Sequence, residues 1–546
     1  MFRPFNHIVD TLRSRLIDAI GVIGYDVSSN IVVVEETKSR RYGDFCSNVA
    51  FRISKILRSR GFVAPPNDIA KDIANVVERN IPELISEVKP VGGYINFYLD
   101  RPRFVSFVLE GIMACGTEYG KPYTLERPPK VIIEHTSANP IHPLHIGHAR
   151  NAFIGDCLAR VYRFVGYDVN VRFYVNDSGK QVAMLTIAME LYGRKPPPGV
   201  KLDHFCGVLY SCISSILEYK KRIWRLRKLK NELRRVVRAI SDDDYILMTM
   251  RRMIETLVTS DWREALRVIS DKGTSAGESG IQIKLGVIQK ILDSVTQTTK
   301  ELDQWGSIIS EIATKWPHVF SILINRVNRS VMRRIRRLIR LYESGESRVK
   351  ERVRNICKMV LDGFLETMSK LGIKYDAFDW ESDLIWVGLV RDVLARLKDI
   401  GYLKANPDGS SILDIREAAQ KREDILRIMF EGGQGDLDEI KNPVLIRRDG
   451  STLYTLRDIA YALFKLRRLG ADKVLNVIGI DQKLEQKHVL IALMLMGEED
   501  AAGKYIHVAY ELVRLPGRRM SSRRGQYISL DTLSVSYTHL TLPTTE

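Results

Sequence analysis

Residues 131–177, VIIEHTSANPIHPLHIGHARNAFIGDCLARVYRFVGYDVNVRFYVND, decide the fold of this chain. The first three of them are apolar and come just after a Pro-Pro pair, which predicts a short buried parallel strand. From about Leu144 to Phe164, apolar residues recur every three or four positions, which predicts a helix, and Gly166 stands where a C-terminal cap belongs. Residues 167–175 then alternate as a strand does. The stretch therefore predicts a βαβ unit with a right-handed crossover.

Two histidines lie in the first turn of the predicted helix. His145 and His148 are three residues apart, so they share one face beside the unpaired amide groups and positive dipole end that attract phosphate. Gly147 between them leaves room for a ligand to approach the backbone. The pair predicts a phosphate-binding site, although an isolated H-x-x-H also occurs as two ordinary helix-start histidines. Such a pair can also bind metal, but we find no third ligand nearby in sequence and expect no protein metal site.

The composition is that of a soluble protein with several domains. A chain of 546 residues suggests three or four domains. The 83 Lys and Arg against 66 Asp and Glu give a formal charge of +17, which favours a polyanionic partner, and nucleic acid is the commonest. Six scattered cysteines without a C-x-x-C pair indicate a reduced, cytoplasmic protein. No apolar run approaches the roughly 18 to 20 residues needed to span a bilayer, so we expect no membrane partner.

Changes in pattern divide the chain into six segments. They are an N-terminal α+β domain (1–115), a linker (116–130), the first half of an open α/β domain (131–195), a mostly helical insert (196–440), the second half of the α/β domain (441–533) and a tail (534–546). In the N-terminal domain, helices are predicted over 8–23 and 48–58, and a strand over 94–99. In the second half, 444–446 and 474–480 are predicted as strands and 456–469 as a helix.

The insert carries a dense group of cations. Residues 326–354 hold an apolar stripe under many basic side chains, and five arginines cluster there with few acids between them: Arg333, Arg334, Arg336, Arg337 and Arg340. A charge-rich helix is usually a solvated face. Five like charges so close together repel each other unless a polyanion passes by, so the run is also a candidate path for nucleic acid.

Several motifs resemble one enzyme family. His145-Ile146-Gly147-His148 spells the HIGH signature of class I aminoacyl-tRNA synthetases, and its surroundings ANPIHPLHIGHARN and FYVNDSGKQ resemble arginyl-tRNA synthetases. Residues 518–525, RRMSSRRG, resemble the second signature, KMSKS, in its MSxRxG form, and YGDFCSNVAFRISKIL and VGGYINFYL resemble the family's N-terminal domain. The resemblance implies an α/β fold with a Rossmann-type parallel sheet and a large helical insert. It also implies that the small N-terminal α+β domain contacts tRNA.

The resemblance implies arginine–tRNA ligase activity. In that reaction ATP activates L-arginine to arginyl-adenylate, and the arginyl group moves to the terminal adenosine of arginine tRNA. ATP would enter as a substrate with Mg²⁺, and the protein would act as a monomer. The catalytic residues implied are His145, His148, Arg519, Ser521, Ser522, Arg523 and Arg524. The ATP-binding residues implied are Pro143, His145, Gly147, His148, Gly479, Asp481 and Met520.

Each of these groups has a place in the implied reaction. The two histidines would serve the phosphates, Gly147 the adenine face, and Gly479 with Asp481 the ribose. Cations and hydroxyls on the 518–525 loop suit the departing pyrophosphate, because negative charge moves onto it in the transition state.

Selection of arginine requires acceptors for a guanidinium group, which carries five donors in a fixed fork. Asp458 and Tyr454 lie one helical turn apart and offer a carboxylate and a phenol on one face. The alternative is a solvent-exposed helix start with an acidic residue. The resemblance implies that these two residues bind the arginine side chain, that Glu134, Ser137 and Asn139 serve the ammonium group and its surroundings, and that Gln482 contributes as well.

The end of the chain departs from the family pattern. Arginyl-tRNA synthetases continue beyond the second signature into a helical anticodon-binding domain, which we expect to be absent here. Residues 534–546, SVSYTHLTLPTTE, change composition abruptly, and our hypothesis is that they are not native protein. Two other functions stay open: a HIGH-type synthetase for a different amino acid, and a non-catalytic or truncated tRNA-binding paralogue.

Overall fold

The computed structural model describes residues 3–121, 126–238, 278–431, 435–513 and 528–533. The chain forms two compact units, Met1–Arg127 with Phe164–Gly166, and Pro128–Arg163 with Tyr167–Glu546. The second signature and the tail at 534–546 lie outside the described residues, so what the sequence predicts for them stays a prediction. Within the described part, no helix is both long enough and apolar enough to cross a bilayer.

The first unit contains the predicted N-terminal α+β domain. Its elements are α1 (Pro4–Ile23), β1 (Glu35–Glu36), β2 (Phe45–Ser47), α2 (Val49–Ser59), α3 (Pro66–Glu78), β3 (Ile85–Val91), β4 (Tyr94–Leu99) and α4 (Arg101–Cys115). The strands form an antiparallel sheet in the order β1-β2-β4-β3. Apolar residues at helical spacing put Ile8, Leu12, Leu16 and Ile20 of α1 in the core. The two predicted helices and the predicted strand are confirmed.

A five-stranded parallel sheet lies at the centre of the second unit. In spatial order its strands are β12 (Tyr505–Tyr510), β11 (Lys473–Gly479), β5 (Lys130–Glu134), β6 (Asp168–Val175) and β7 (Ala377–Trp380). Val131, Ile132 and Ile133 are fully buried, as the apolar run predicts. The chain builds outward to one side of β5 and then, with β11, to the other. The gap between β5 and β11 is therefore the topological switch point, where open α/β sheets bind ligands.

Helix α5 (Ile146–Val165) connects β5 to β6 and confirms the predicted βαβ unit. It ends where Gly166 takes a left-handed φ of +98°. The predicted apolar face is only partly right, because Phe153 and Val161 are 49% and 53% exposed. Small residues are buried instead, namely Ala149, Ala152, Gly155 and Ala159. The helix approaches its neighbours closely: a β-carbon on Gly155 would lie 2.3 Å from the ring of His135, which leaves no room for large side chains on that face.

The predicted insert is mostly helical. Its helices are α6 (Lys180–Tyr192), which begins just ahead of the predicted insert, α7 (Leu202–Arg238), α8 (Glu278–Lys315), α9 (Pro317–Arg326), α10 (Arg329–Glu343), α11 (Ser347–Lys370), α12 (Glu381–Trp386), α13 (Leu389–Asp399), α14 (Ile415–Lys421) and α15 (Glu423–Phe430). Helix α10 carries the five clustered arginines. It buries Val331, Ile335 and Leu338, which lie three or four residues apart on one face.

Two strand assignments differ from the sequence prediction. Strand β7 comes from within the predicted insert, yet it pairs with β6 and extends the central sheet. Residues 444–446 are a strand, β10 (Val444–Ile446), but β10 joins a separate antiparallel sheet with β9 (Ser411–Leu413) and β8 (Leu403–Ala405) rather than the central one. A run of three apolar residues indicates a strand without indicating its partner, because pairing is decided by residues distant in sequence.

The last described part of the second unit completes the central sheet. Its helices are α16 (Tyr454–Leu463), α17 (Lys483–Leu495) and α18 (Glu499–Gly503). The predicted helix over 456–469 is confirmed, but its final turn, Phe464–Arg468, is π-helical. Such turns are rare and are frequently found at functional sites. The predicted strand over 474–480 corresponds to β11.

Candidate active site

A cavity of about 320 Å³ opens at the carboxyl ends of β5 and β11, at the switch point of the sheet. Nine of the twelve predicted site residues that the structure describes line it: Glu134, Ser137, His145, Gly147, His148, Asp458, Gly479, Asp481 and Gln482. These residues come from four separate parts of the chain, between 134 and 482. The fold therefore brings the histidine signature and the predicted arginine-selecting carboxylate to one cavity.

The loop after β5 is strained where it enters the cavity. Thr136 and Ser137 have φ values of +69° and +24°, a region that residues other than glycine rarely adopt. Asn151 of α5 holds the loop in place, since its Oδ1 accepts from the Thr136 amide at 2.8 Å and its Nδ2 donates to the Val477 carbonyl of β11 at 2.9 Å. One buried amide thus joins the signature helix to both strands at the switch point.

The two signature histidines have a defined hydrogen-bonding pattern. The backbone amide of His145 donates to Nδ1 of His148 at 3.1 Å, and the amide of Gly147 donates to Nδ1 of His145 at 3.2 Å. Because each Nδ1 accepts a hydrogen bond, the proton of each neutral ring sits on Nε2. The rings stack with their centroids 3.9 Å apart. The N-terminus of α5 therefore carries two imidazoles that act as Nε2–H donors.

A third histidine, missed in the sequence, packs against this pair. The ring centroid of His142 lies 5.9 Å from that of His145 and 6.3 Å from that of His148, and its Nδ1 donates to the Pro143 carbonyl at 2.9 Å. The spacing H-x-x-H-x-x-H is visible in the sequence, so the statement that no third candidate ligand lies nearby was wrong. Within the described residues, these three rings do not form a group that could hold a metal ion.

All three histidines are uncharged at neutral pH. Burial lowers the pKa of His145 to about 4, with a further contribution from His142. Burial and the two neighbouring rings lower the pKa of His148 well below its usual range, and burial also lowers that of His142. In the free protein the two signature histidines therefore carry no positive charge. The imidazoles offer N–H dipoles, together with the amide groups of the helix end.

Two glycines bring backbone close to the cavity. A β-carbon on Gly147 would lie 3.0 Å from Cε1 of His145, and one on Gly479 would lie 2.6 Å from Oδ1 of Asp481. Any larger residue would displace those side chains. Asp481 is exposed at the rim, and its Oδ2 accepts from Gln482 Nε2 at 3.1 Å. This geometry suits the nucleoside placement predicted for Gly147, Gly479 and Asp481.

The other end of the cavity has an excess of carboxylates. Asp458 lines it, and within the described residues no donor bonds its carboxylate. Burial raises the pKa of Asp458 well above its usual range, and the charges of Glu485, Glu134 and Glu381 raise it further, while Lys465 opposes them. A bound cation opposes this shift, because it stabilises the ionised form of the carboxyl group.

Glu134 is already paired in this structure. Its carboxylate forms an ion pair with Lys465, whose ammonium group is 1% exposed, and it accepts from Ser137 Oγ at 2.9 Å. Lys465 lies in the π-helical turn after α16, 4.3 Å from the ring centroid of Tyr461. This lysine is absent from the predicted site residues, although a single cation between the apolar Phe464 and Leu466 is a recognisable signal. The predicted contact between Glu134 and a substrate ammonium group therefore has to share this carboxylate with Lys465.

Three predicted residues do not line this cavity. Asn139 and Tyr454 line a neighbouring cavity of about 890 Å³, and the two cavities share Asn176. Nδ2 of Asn139 donates to Gln181 Oε1 at 2.5 Å, and Tyr454 is 56% exposed at the start of α16. Pro143 is buried and contributes only the carbonyl that His142 bonds. The larger cavity is lined by several cations, Lys180, Arg336, Arg340, Arg447 and Arg457.

Away from this site, one cluster has the residue types of a metal site. Ligand atoms of Asp203, His204 and Asp531 lie within 4.8 Å of one another. The ammonium group of Lys201 contacts both carboxylates, at 3.3 Å and 2.8 Å, so a cation of the chain itself balances them. Two thiols of the same helix, those of Cys206 and Cys212, are buried, and burial raises their pKa values to about 12.

The residues of the second signature, Arg519, Met520, Ser521, Ser522, Arg523 and Arg524, lie outside the described part of the chain. The segment that follows them is described, and it pairs with the first signature. The amide of Leu530 donates to the Leu144 carbonyl at 2.8 Å, and His145 and Ser529 form an isolated antiparallel bridge. Residues 528–533 are therefore attached to the HIGH loop.

Comparison with known proteins agrees with this arrangement. The family model for the catalytic domain of class I tRNA synthetases of the arginine type matches residues 112–305 and 324–536, and the model for the arginyl-tRNA synthetase N-terminal domain matches residues 6–99. The arginine–tRNA ligase of Sulfolobus acidocaldarius is 33% identical over 506 residues, which cover 89% of this chain and 70% of the relative.

Two further comparisons extend over nearly the whole chain. The arginine–tRNA ligase of Aeropyrum pernix is 31% identical over 539 residues, covering 97% of this chain and 71% of the relative. The solved Thermus thermophilus arginyl-tRNA synthetase has a TM-score of 0.49 and 22% identity, covering 97% of this chain and 70% of that one. On the evidence of the family models and the curated relatives, the chain belongs to the arginyl-tRNA synthetase family of class I aminoacyl-tRNA synthetases.

Proposed function

We propose that the cavity at the switch point is where this arginine–tRNA ligase activates L-arginine with ATP. The enzyme couples arginine to its tRNA, with ATP as a substrate. We place the nucleotide at the α5 end of the cavity and arginine at the Asp458 end. This placement rests on one observation. A single cavity is lined by both the HIGH imidazoles and the Asp458 carboxylate, which accepts no hydrogen bond within the described residues.

The chemistry at the nucleotide end is phosphoryl transfer. The carboxylate of arginine attacks the α-phosphorus of ATP in line, and pyrophosphate leaves. The attacking oxygen is already ionised, so no general base is needed and positioning with electrostatic stabilisation must supply the rate. In this proposal the Nε2–H groups of His145 and His148 donate to phosphate oxygens as charge develops there. Gly147 lets the nucleotide approach the backbone, and Gly479 with Asp481 receives the ribose.

The acidic end of the cavity suits a substrate cation. Within the described residues Asp458 has no salt-bridge partner, whereas Glu134 is balanced by Lys465. A guanidinium group is planar and presents pairs of N–H donors that match a carboxylate. We place the side chain of arginine against Asp458 and its ammonium group toward Glu134 and Ser137. Gln482, at the rim beside Asp481, is the remaining contact that we propose.

The neighbouring 890 Å³ cavity suits the 3′ end of tRNA. Arg336 and Arg340 of α10 and Lys180 of α6 line it, and within the described residues none of the three has an ion-pair partner. The cavity adjoins the activation site through Asn176. Cations that lack partners attract phosphodiester groups. In this proposal the terminal adenosine enters from this side, and its ribose hydroxyl attacks the adenylate.

The proposal also includes Mg²⁺ and the second signature. Mg²⁺ enters with the triphosphate as part of the substrate, and the residues of the second signature, from Arg519 to Arg524 in sequence, receive the departing pyrophosphate. Contact of the N-terminal domain with tRNA, a monomeric state and a cytoplasmic location stay predictions.

The test is ATP–pyrophosphate exchange in the presence of arginine and arginine tRNA. His148→Ala should lower the turnover by roughly 10² to 10³, the effect of removing one preorganised donor. Asp458→Asn should raise the KM for arginine and leave that for ATP unchanged. Exchange supported by lysine in place of arginine, or an Asp458→Asn enzyme with the wild-type KM for arginine, would contradict the proposed placement.

A further inference from the structure

One polar atom at the arginine end of the cavity has no role in the proposal above. The side chain of Tyr174, on β6, lines the cavity and is 3% exposed. Its hydroxyl is buried and, within the described residues, has no hydrogen-bond partner. A buried hydroxyl without a partner destabilises the folded chain, so such a group usually has a ligand or a structural reason.

The neighbourhood of Tyr174 is anionic. Glu381 and Asp458 influence its phenol most strongly among the charged groups, followed by Arg457 and Glu134. The cation of Arg457 is already bound to Glu381 at 3.2 Å and to Glu343 at 2.9 Å. Burial and the three carboxylates raise the pKa of Tyr174 well above its usual range, so the group is a neutral phenol at every working pH. A neutral phenol oxygen in such a place is an acceptor suited to a cationic N–H group.

The ring of Tyr174 is fixed in position. It stacks on the ring of Tyr461 with centroids 4.1 Å apart and planes 13° from parallel. The Tyr461 hydroxyl donates to Asp379 Oδ2 at 2.7 Å, whereas the Tyr174 hydroxyl has no hydrogen-bond partner within the described residues. The backbone amide of Tyr174 donates to Ser137 Oγ at 3.1 Å, which links it to the strained loop after β5. The ring that carries the unpaired oxygen is therefore fixed at the wall of the cavity that Asp458 also lines.

A guanidinium group needs more acceptors than one carboxylate provides. Two parallel N–H groups satisfy Asp458, and three donors remain. We propose that the Tyr174 hydroxyl is a specificity-determining contact that accepts one of these N–H groups when arginine binds. The proposal rests on the placement of arginine in this cavity and adds a ligand for its side chain that neither the sequence motifs nor the family resemblance singles out.

The substitution Tyr174→Phe tests the contact, because it removes one oxygen and preserves the stacked ring. We expect calorimetric titration of the full chain with L-arginine to show an affinity about ten- to a hundredfold lower, the effect of losing a hydrogen bond to a charged group. The affinity for ATP should not change. The melting temperature should stay the same or rise, because the variant no longer buries an unpaired hydroxyl. The matched control is Tyr461→Phe, which removes the same atom from the stacked partner and should bind arginine as the wild type does.

The possible results separate this contact from the placement on which it rests. If Asp458→Asn weakens arginine binding and Tyr174→Phe does not, the Tyr174 contact is wrong and the placement of arginine stands. If Asp458→Asn binds arginine like the wild type, the placement is wrong and the contact falls with it. If Tyr174→Phe lowers the melting temperature and the affinities for both arginine and ATP, the hydroxyl is structural and the proposal is overturned.

Discussion

The amide of Leu530 donates to the carbonyl of Leu144 at 2.8 Å, one residue before the HIGH tetrad begins. Ile146 in turn donates to the Ile528 carbonyl at 3.4 Å. Asp531, next in sequence to Leu530, accepts from Lys201 Nζ, His204 Nε2 and Thr367 Oγ1, each at 2.8 Å. The segment that follows the second signature is thus bonded to the first signature on one side and to α11 and the start of α7 on the other.

This attachment predicts a positioning role for Asp531. The second signature ends three residues before Ile528, so loss of the Asp531 bonds should displace the segment that directly follows the signature. We expect Asp531→Ala to lower the exchange turnover about ten- to a hundredfold, because a small displacement of the reacting groups lowers the reaction rate steeply. The KM for arginine should not change, since Asp531 does not line the arginine cavity. Asp500→Ala, which removes an exposed carboxylate paired with Lys504, is the control, and equal turnover in both variants would contradict the role.

The neutral state of the signature histidines predicts the shape of the pH profile. If His145 and His148 act as N–H donors, the exchange rate should not fall as pH rises from 6 to 8, because both rings are already uncharged over that range, with the pKa of His145 lowered to about 4. His148→Asn, which keeps a neutral N–H donor, should retain more activity than His148→Ala. A rate that falls with a midpoint near pH 6.5, the ordinary pKa of histidine, would instead show that the imidazoles must be charged.

Buried histidines also predict loss of stability in acid. His135 is fully buried, and burial lowers its pKa from 6.5 to about 4. Between these values the unfolded chain binds a proton that the folded chain does not, so the free energy of unfolding falls as pH decreases from about 6.5 to 4. For this one group the full effect below pH 4 is about 3 kcal/mol. Urea unfolding at several pH values should show this slope, and His135→Gln should reduce it, with His142, His145 and His148 accounting for part of what remains. An unchanged slope would contradict the shift.

Sequence patterns predicted the parts of this fold that depend on local order. The run 131–133, the helix from the HIGH tetrad to Gly166 and the strand at 474–480 all follow from apolar period and capping residues, and the structure confirms them. The motifs also predicted nine of the 21 residues that line the cavity, because the carboxyl ends of β5 and β11 meet at the switch point. In a parallel sheet, two motifs that are distant in sequence can therefore be assigned to one site from the strand ends that they follow.

Long-range pairing and close packing could not be read from the same patterns. Nothing local to residues 377–380 shows that they extend the central sheet, and nothing near 444–446 shows that they leave it. Small residues of α5 are buried in place of Phe153 and Val161 because this helix packs closely against its neighbours. The spacing of apolar residues in the sequence does not show how closely a helix packs. Lys465 and Tyr174 were not predicted because each is a single residue within an apolar stretch. Only the folded structure shows which groups surround such a residue.

The close packing of α5 gives a stability prediction. Gly155→Ala would place a β-carbon 2.3 Å from Cγ of His135, a buried ring that cannot move without disturbing the loop after β5. We expect the free energy of unfolding to fall by about 1–3 kcal/mol, the usual effect of overpacking. The matched control is Gly21→Ala in α1, where no atom lies within 4 Å of the new carbon. That substitution should stabilise the chain by up to about 1 kcal/mol through helix propensity. Equal effects of the two changes in urea unfolding would contradict the packing argument.

The acidic end of the cavity predicts that arginine binding releases a proton. Burial, with Glu485 and Glu134, raises the pKa of Asp458 well above its usual range, and a bound guanidinium group opposes that shift because it stabilises the carboxylate. At a pH below the raised pKa, Asp458 must lose its proton for arginine to bind, so the affinity should increase with pH until that pKa is passed. Titration calorimetry in two buffers of different ionisation enthalpy measures the proton count directly. Asp458→Asn should remove both the proton release and the pH dependence, and Glu485→Gln should reduce the release while leaving arginine able to bind. Proton uptake in place of release would show that the carboxylate is already ionised in the free enzyme and that another group titrates on binding.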